Sequence, residues 1–259
     1  MKTIIGSATP GFGGGVNFHS TQNPFQRTGP NRVIEKIVLS EWLVYYRIDL
    51  PGVSRADMFV DRNQSDKSVI VRNKLPRSNP NGIPDYETVV DLDCDCCRVN
   101  YISPFEEGAE DGVLRFILGM DIEREYRGGL AYHQRVYNTD PNADRFYNRD
   151  MILPHPFVLA FNEQQYAYEF DKVNAGINAG VATVRLNMPG VPADDFELEI
   201  LEDRVTVRGV APQRHHDSGG RTYEAVAAWL ESRDGAPTAV NVERQASHGV
   251  MRLIIRPAA

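Results

Sequence analysis

The sequence contains an internal repeat, and this repeat limits the architecture more than any other feature does. The segment Arg47–Val60, which reads RIDLPGVSRADMFV, returns as Arg185–Leu198, which reads RLNMPGVPADDFEL. The Pro-Gly pair at Pro51 recurs at Pro189, in the same place within the segment. A chain built in this way is expected to fold as two similar units and not as one large domain.

Two further blocks occur in the same order in both halves of the chain. Val69–Arg72 (VIVR) corresponds to Val205–Arg208 (VTVR), and Gly112–Leu118 (GVLRFIL) corresponds to Gly249–Ile255 (GVMRLII). Three ordered blocks predict the following organisation: an arm over residues 1–32, a first unit over 33–122, a linker over 123–159 and a second unit over 160–259.

Both units have the sequence pattern of β-strands. Val44, Tyr46 and Ile48 alternate with more polar neighbours such as Arg47 and Asp49, which predicts a strand with one buried face and one wet or partly wet face. The Pro-Gly pair that follows marks a turn, because proline presets φ and glycine accepts the left-handed conformation. Several short strands without an amphipathic helix predict an all-β fold of antiparallel sandwiches.

The repeated blocks resemble the alpha-crystallin domain of small heat shock proteins. Asp49–Val53 (DLPGV) and Gly112–Leu114 (GVL) fit its pattern closely, and Asn187–Val191 (NMPGV) and Gly249–Met251 (GVM) fit it with mild substitutions. The resemblance implies two immunoglobulin-like β-sandwiches joined by an aromatic-rich linker. It also implies an ATP-independent holdase, a stress-response chaperone that binds non-native proteins through apolar strand edges and grooves and needs no cofactor.

By analogy with the family, the strands around the second and third repeated blocks are expected to line the binding grooves. The residues predicted on this basis are Val69, Val71, Val113, Leu114, Phe116, Leu118, Val205, Val207, Val250, Met251, Leu253 and Ile255.

Two features depart from the usual family pattern. The chain ends Ile254–Ala259 (IIRPAA) without the I-x-I motif that builds large oligomers in the family, so large assemblies are not expected. The tandem layout favours an intramolecular pseudo-dimer, because linkage raises the effective concentration of one unit at the other; a homodimer is the other possibility. These features also support an alternative function, a non-catalytic scaffold or adaptor that binds one specific protein partner.

Composition and charge exclude several other classes. A net charge of −7, with no cluster of basic residues, disfavours nucleic-acid binding. No segment has the apolar length of a signal sequence or a membrane span. Cys94, Cys96 and Cys97 form one cluster and not a distributed disulfide framework, which predicts a reducing compartment, cytoplasmic or nuclear.

The segments outside the units have distinct compositions. Residues 1–32 are rich in Gly, Pro, Asn, Ser and Thr, which predicts disorder; the alternative is that their phenylalanines, Phe12, Phe18 and Phe25, contact clients. The linker is rich in aromatic residues that either cover the sandwiches or form a docking surface. These residues are Tyr126, Tyr132, Tyr137, Phe146, Tyr147 and Phe157.

No catalytic motif is found in the sequence, and we do not expect an enzyme. It has no glycine-rich phosphate-binding loop. The pair His215-His216, with Asp217 and the distant His248, is interpreted as a solvated loop and not as a metal site. The three cysteines lack a fourth ligand at zinc-like spacing and are expected to be structural or incidentally exposed thiols. Asp91, Asp93 and Asp95 predict a solvated acidic strand face, with weak cation binding as the alternative.

Overall fold

The computed structural model describes residues 23, 25–30, 34–74, 86–123, 157–158, 170–171, 182–230 and 239–258. For residues 104–108, 157–158, 170–171, 182–183 and 229 it describes the backbone alone. The strands in chain order are β1 (Gln26–Thr28), β2 (Ile34–Ser40), β3 (Leu43–Asp49), β4 (Met58–Arg62), β5 (Ser68–Asn73), β6 (Tyr86–Asp91), β7 (Cys97–Glu110), β8 (Val113–Ile122), β9 (Phe157–Val158), β10 (Phe170–Asp171), β11 (Ala182–Asn187), β12 (Phe196–Ile200), β13 (Arg204–Ala211), β14 (Arg221–Trp229), β15 (Val240–Ser247) and β16 (Val250–Pro257).

These strands form four antiparallel sheets, two for each half of the chain. The sheets of the first half have the orders β2-β3-β8-β7 and β4-β5-β6-β9. The sheets of the second half have the orders β10-β11-β16-β15 and β1-β14-β13-β12. The two halves therefore repeat one topology, and the prediction of an all-β fold built from sandwiches is confirmed.

Each half has its own hydrophobic core. The first includes Ile48, Val69 and Phe116, each 0% exposed, and the second includes Val205 and Leu253, also 0% exposed. These residues come from the repeated blocks, in which alternate side chains point to one face of the strand. A short turn of 3-10 helix connects the sheets in both halves, at Arg55–Asp57 and at Ala193–Asp195.

The aromatic residues of the linker lie outside the described residues, apart from the backbone of Phe157.

Two short strands are exchanged between the halves. β1 precedes the first sandwich in the chain but pairs with β14 of the second. β9 precedes the second sandwich but pairs with β6 of the first. The exchange is reciprocal, because β6 and β14 are equivalent strands of the repeat. Each exchanged strand covers a sheet edge that would otherwise present unpaired backbone groups.

Strand β1 lies in the arm for which composition predicts disorder. Its neighbour Phe25 is only 7% exposed and belongs to the second core, so the alternative role of Phe25 as a client contact is not what the structure shows. The Phe25 carbonyl accepts a hydrogen bond from the Glu224 N–H at 2.8 Å. The side-chain amide of Asn23 donates to the Asn187 carbonyl at 2.8 Å. One buried aromatic ring and a few backbone bonds therefore order a segment whose overall composition is that of a disordered chain.

Candidate functional site at the interface and the open strand edges

The two sandwiches meet through four turns, which we call the turn cluster: Pro51-Gly52, Asp111-Gly112, Pro189-Gly190 and His248-Gly249. The Gly52 N–H donates to the His248 carbonyl at 2.9 Å, and the Gly190 N–H donates to the Asp111 carbonyl at 2.8 Å. Gly52 and Gly190 are equivalent in the repeat, as are Asp111 and His248. The hydrogen bonds thus relate the two sandwiches by an approximate two-fold symmetry, as in an isologous dimer.

Two glycines of the turn cluster have conformations and surroundings that other residues would not tolerate. Gly112 has φ +70° and Gly249 has φ +66°, in the region that favours glycine. A Cβ at Gly112 would lie 2.3 Å from the His248 carbonyl oxygen, and a Cβ at Gly249 would lie 2.3 Å from the Asp111 carbonyl oxygen. The preceding residues, Asp111 and His248, also have positive φ, as a two-residue hairpin turn with φ > 0 at both positions requires.

Buried tyrosines hold the Pro-Gly turns in place. The Tyr86 hydroxyl donates to the Pro51 carbonyl at 3.2 Å, and its equivalent Tyr223 donates to the Pro189 carbonyl at 2.9 Å. Burial raises the pKa of Tyr223 to about 12, and it also raises the pKa of Tyr86. Both hydroxyls therefore remain protonated donors at neutral pH.

A group of buried charges lies beside the turn cluster, and we call it the charge cluster. Its members are Glu35, Arg47, Asp49 and Arg115 from the first sandwich and Asp217 and Arg221 from the second, each at most 7% exposed. Three carboxylates face three guanidinium groups, so the cluster is neutral in sum. Ionic groups that are removed from water must pair with opposite charges. In this cluster, some of the pairs join one sandwich to the other.

Asp217 makes the most complete set of contacts in the charge cluster. Both of its carboxylate oxygens accept hydrogen bonds from Arg115, each at 3.1 Å. The Tyr45 hydroxyl donates to the same carboxylate at 2.5 Å, and the Arg214 N–H donates at 3.1 Å. Burial alone would raise the pKa of Asp217, but the hydrogen bonds and charge of Arg115 outweigh it and lower that pKa. Asp217 is thus an ionised, bidentate ligand of Arg115.

Two more contacts of the charge cluster join the sandwiches. Arg221 donates to the Asp49 carboxylate at 2.5 Å, and the Ser218 N–H donates to the Glu35 carboxylate at 2.7 Å. Burial acts to lower the pKa of Arg221, but the charge and hydrogen bond of Asp49, together with the contribution of Tyr223, outweigh it and raise that pKa. Arg47 lies between Glu35 and Asp49 at the longer distances of 3.9 and 3.6 Å.

The interface corrects one expectation from the sequence pattern. The face of β3 that carries Tyr45, Arg47 and Asp49 was predicted to be wet or partly wet, and these three residues are 0%, 2% and 7% exposed. The prediction was wrong because the second sandwich covers this face. The loop that carries the histidine pair was predicted to be solvated, and this holds only in part. His215 is exposed, but Asp217, next to the pair, is buried against Arg115.

The residues predicted to line binding grooves all lie on interior strands. Val69 and Val71 are on β5; Val113, Leu114, Phe116 and Leu118 are on β8; Val205 and Val207 are on β13; and Val250, Met251, Leu253 and Ile255 are on β16. Each is at most 4% exposed. They pack the cores or the interface, and a role for them in binding a partner stays a prediction.

The outer strands are where large apolar side chains reach the surface. β4, β7, β12 and β15 each pair on one side only among the described strands. Phe59 on β4 is 39% exposed, Tyr101 on β7 is 44% exposed and Ile200 on β12 is 49% exposed. Val210 is 56% exposed, but it lies on β13, which is paired on both sides. Three of these four apolar groups therefore sit beside backbone that another chain can pair with.

In the first sandwich, two of the outer strands, β4 and β7, are tied together. Arg62 of β4 donates to the Asn100 carbonyl of β7. The Val99 N–H of β7 donates to the carbonyl of Asp66, in the turn after β4, at 2.7 Å.

Cys94, Cys96 and Cys97 are buried in the first core, at most 1% exposed. Cys94 and Cys96 form a disulfide, and the sulfur of Cys97 lies 3.6 Å from that of Cys96. Burial raises the pKa of the Cys97 thiol to about 11, although the charge of Lys67 acts in the opposite direction. Of the two alternatives expected for these cysteines, the structure agrees with structural and not with incidentally exposed side chains, because the turn after β6 folds them into the core.

The three aspartates beside the cysteines do not form the predicted strand face. Asp91 ends β6, whereas Asp93 and Asp95 lie in the turn that follows. Asp91 and Asp95 are exposed, but Asp93 forms an ion pair with the largely buried ammonium group of Lys36.

The exchanged strands β1 and β9 were not predicted, although the sequence contains a weak signal for them. Asn23-Pro24-Phe25 before the first unit is matched by His155-Pro156-Phe157 before the second. Phe25 directly precedes the exchanged strand β1, and Phe157 is the first residue of the exchanged strand β9. A two-residue Pro-Phe match outside the predicted units gave no reason by itself to include these segments in the repeat.

Comparison with known proteins gives the same family as the repeated blocks. A family described as "Predicted plant small heat shock protein" matches residues 7–258. The chain belongs to this family. It is also 33% identical to the "Putative 57 kDa heat shock protein" of Arabidopsis thaliana, over 78% of this chain and 53% of the relative. The chain thus spans about half the length of that relative.

Small heat shock proteins are in general chaperones without enzymatic activity. In the described part of the chain, no helix is long and apolar enough to cross a membrane.

Proposed function

We propose that this small heat shock protein is an ATP-independent holdase that binds extended segments of non-native proteins along its outer strands. The observation that carries the proposal is the placement of Phe59, Tyr101 and Ile200 on strands that pair on one side only. An extended segment can add to such an edge through backbone hydrogen bonds, while its alternate side chains contact the exposed apolar groups. No nucleotide takes part in this mechanism.

Strand β12 of the second sandwich is the best supported binding edge. Along it, Glu197 and Glu199 are exposed on one face, whereas Ile200 ends the strand as an exposed apolar side chain. The first sandwich also exposes Phe59 and Tyr101, but there Arg62 and Val99 tie the outer strands to each other. A client segment that enters between these strands has to displace the two contacts, so we expect it to bind more weakly there.

The closed interface favours a client-binding role at outer edges over one at the junction of the sandwiches. The turn cluster and the charge cluster bury the groups that face each other across the junction. The same closed pair is also compatible with the adaptor function, in which one native partner occupies the outer strands. The two functions differ in selectivity, since a holdase binds many unrelated unfolded chains and an adaptor binds one folded partner.

Suppression of aggregation tests the proposal. A heat-labile test protein is warmed without nucleotide, and its light scattering is recorded with the wild-type chain and with Ile200→Ser. We expect suppression at near-equimolar ratios, weakened several-fold by Ile200→Ser. Val210→Ser is the matched control, because Val210 is at least as exposed but lies on a doubly paired strand, and it should suppress like the wild type. No suppression by a folded wild-type chain would reject the holdase and favour the adaptor.

A further inference from the structure

The turn between β6 and β7 places three sulfur atoms close together inside the first core. The sulfurs of Cys94, Cys96 and Cys97 all lie within 4.8 Å of one another. Each of the three residues is at most 1% exposed. Among the described residues, this is the one group of three or more potential metal ligands that converges in this way.

The spacing of the sulfurs fits a metal ion at their centre. Three sulfurs that each lie about 2.3 Å from one ion in a plane are separated from one another by about 4 Å. The Cys96 and Cys97 sulfurs are 3.6 Å apart, and the Cα atoms of Cys94 and Cys96 are 5.2 Å apart. Side-chain rotation after reduction of the disulfide is therefore enough to form the triangle, without a rearrangement of the strands.

The surroundings of the sulfurs supply positive charge. The Lys67 ammonium group donates to the carbonyls of Asp95 and Cys97, at 3.0 and 2.9 Å. It is held there by an ion pair with Glu123 at 2.5 Å. The charge of Lys67 acts to lower the pKa of the Cys97 thiol, but burial outweighs it, so a metal ion has to displace the thiol proton as it binds.

We propose that the reduced chain binds one monovalent copper ion through the thiolates of Cys94, Cys96 and Cys97. Thiolates are soft ligands that select Cu(I) or Zn(II). Structural zinc sites are almost always four-coordinate, and the converging group in the described part of the chain has three members. A three-sulfur set thus suits Cu(I) better than Zn(II). Cys97 begins the outer strand β7, but the three cysteines are buried in the core, and metal binding by them does not depend on the proposed chaperone function.

The disulfide and the metal site are alternative states of the same residues. A dithiol or phosphine reductant delivers two electrons, and with two protons the Cys94–Cys96 bond becomes two thiols. Cu(I) then displaces the thiol protons as it binds. The oxidised chain retains a single thiol in the group and is not expected to hold the ion.

The proposal is tested by titration of the full chain with Cu(I) under anaerobic conditions, against a chromophoric Cu(I) chelator as competitor. We expect one equivalent per phosphine-reduced chain and none per oxidised chain. Cys97→Ser should lower the affinity at least tenfold. Asp95→Asn is the matched control, since its exposed side chain lies between the cysteines, and it should bind like the wild type. Less than one equivalent for the reduced wild type, or unchanged affinity of Cys97→Ser, would overturn the proposal.

A measurement on the wild type alone covers the case in which a cysteine variant does not fold. The reduced chain is treated with an alkylating agent in denaturant, with and without Cu(I) added beforehand to the native protein, and is then weighed by mass spectrometry. Three alkyl groups without metal and fewer with Cu(I) are expected. Equal alkylation in both samples would contradict the site. Protection by Zn(II) but not by Cu(I) would overturn the assignment of the bound metal as a three-coordinate Cu(I) ion.

Discussion

At the scale of single residues, Asp217 shows how the interface gains its specificity. Its carboxylate accepts two hydrogen bonds from Arg115 and one from Tyr45, all across the interface. A buried ion pair adds little net stability over an apolar contact, but removal of one partner leaves an uncompensated buried charge. The charge cluster therefore determines which surfaces of the two sandwiches pair, and it adds little to the free energy of that pairing.

Replacement of Asp217 by Asn should destabilise the protein strongly. The change leaves the Arg115 guanidinium buried without its counter-charge, and we expect a loss of about 3 kcal/mol in the free energy of unfolding, measured in urea. Asp203→Asn is the control, because the Asp203–Arg204 pair is largely exposed and should contribute less than about 0.5 kcal/mol. Similar losses for both variants would contradict the role given to Asp217.

The same carboxylate predicts how stability depends on pH. The folded state lowers the pKa of Asp217 below the value of about 3.9 for an unfolded aspartate. The stabilising contribution is therefore complete above about pH 4 and is lost as the pH falls further, through the folded pKa. Asp111 has a raised pKa and acts in the opposite direction, so the informative quantity is the difference between wild type and Asp217→Asn. This difference should shrink as the pH falls below about 4; a constant difference would show that Asp217 is not ionised.

At the scale of structural elements, the hairpin turns of the turn cluster decide whether the sandwiches can meet. Gly112 and Gly249 lie against a carbonyl oxygen of the opposite turn, at a distance that leaves no room for a side chain. The backbone conformation at both positions also disfavours any other residue. Two independent restrictions thus act on each glycine, and they act in equivalent places on the two sides.

Substitution of these glycines by alanine should separate the sandwiches without unfolding them. Gly112→Ala combined with Gly249→Ala is expected to cost more than about 2 kcal/mol, from strained backbone and a contact with a carbonyl oxygen. Gly219→Ala is the control, because a Cβ there would lie at an ordinary contact distance of 3.5 Å from its nearest neighbour, Pro30. Small-angle X-ray scattering should show a larger radius of gyration for the double variant alone. An unchanged radius would mean that the turns tolerate the added methyl groups.

The sequence predicts the elements better than it predicts their association. Alternation and Pro-Gly turns identify β3, β4 and their repeats, because a half-buried strand must place apolar residues at every second position. The same alternation fails for Tyr45, Arg47 and Asp49, since polar residues that pair across an interface look like residues that face water. Strands β1 and β9 are also missed: each is held by a partner from the other half of the chain, and local composition carries no record of that partner.

At the scale of the whole molecule, the chain behaves as a dimer made from one polypeptide. The turn cluster is symmetric, and both sandwiches lend a strand to each other, β1 to the second and β9 to the first. The two halves form this pair at a fixed ratio, because covalent linkage raises the effective concentration of one half at the other. Among the described strands, β2, β4, β7, β10, β12 and β15 pair on one side only, as do the exchanged strands β1 and β9.

Cutting the linker tests whether the halves hold together without it. A protease site inserted between Asn142 and Ala143 lets the folded chain be cleaved into two fragments, the first carrying β1 and the second carrying β9. Each fragment then contributes one exchanged strand to the other, in addition to the charge cluster and the turn cluster. We expect the fragments to elute together in size-exclusion chromatography at the mass of the 29.1 kDa chain, and to separate when Gly112→Ala and Gly249→Ala are present. Separation of the unsubstituted fragments would show that the linker, and not the interface, keeps the sandwiches paired.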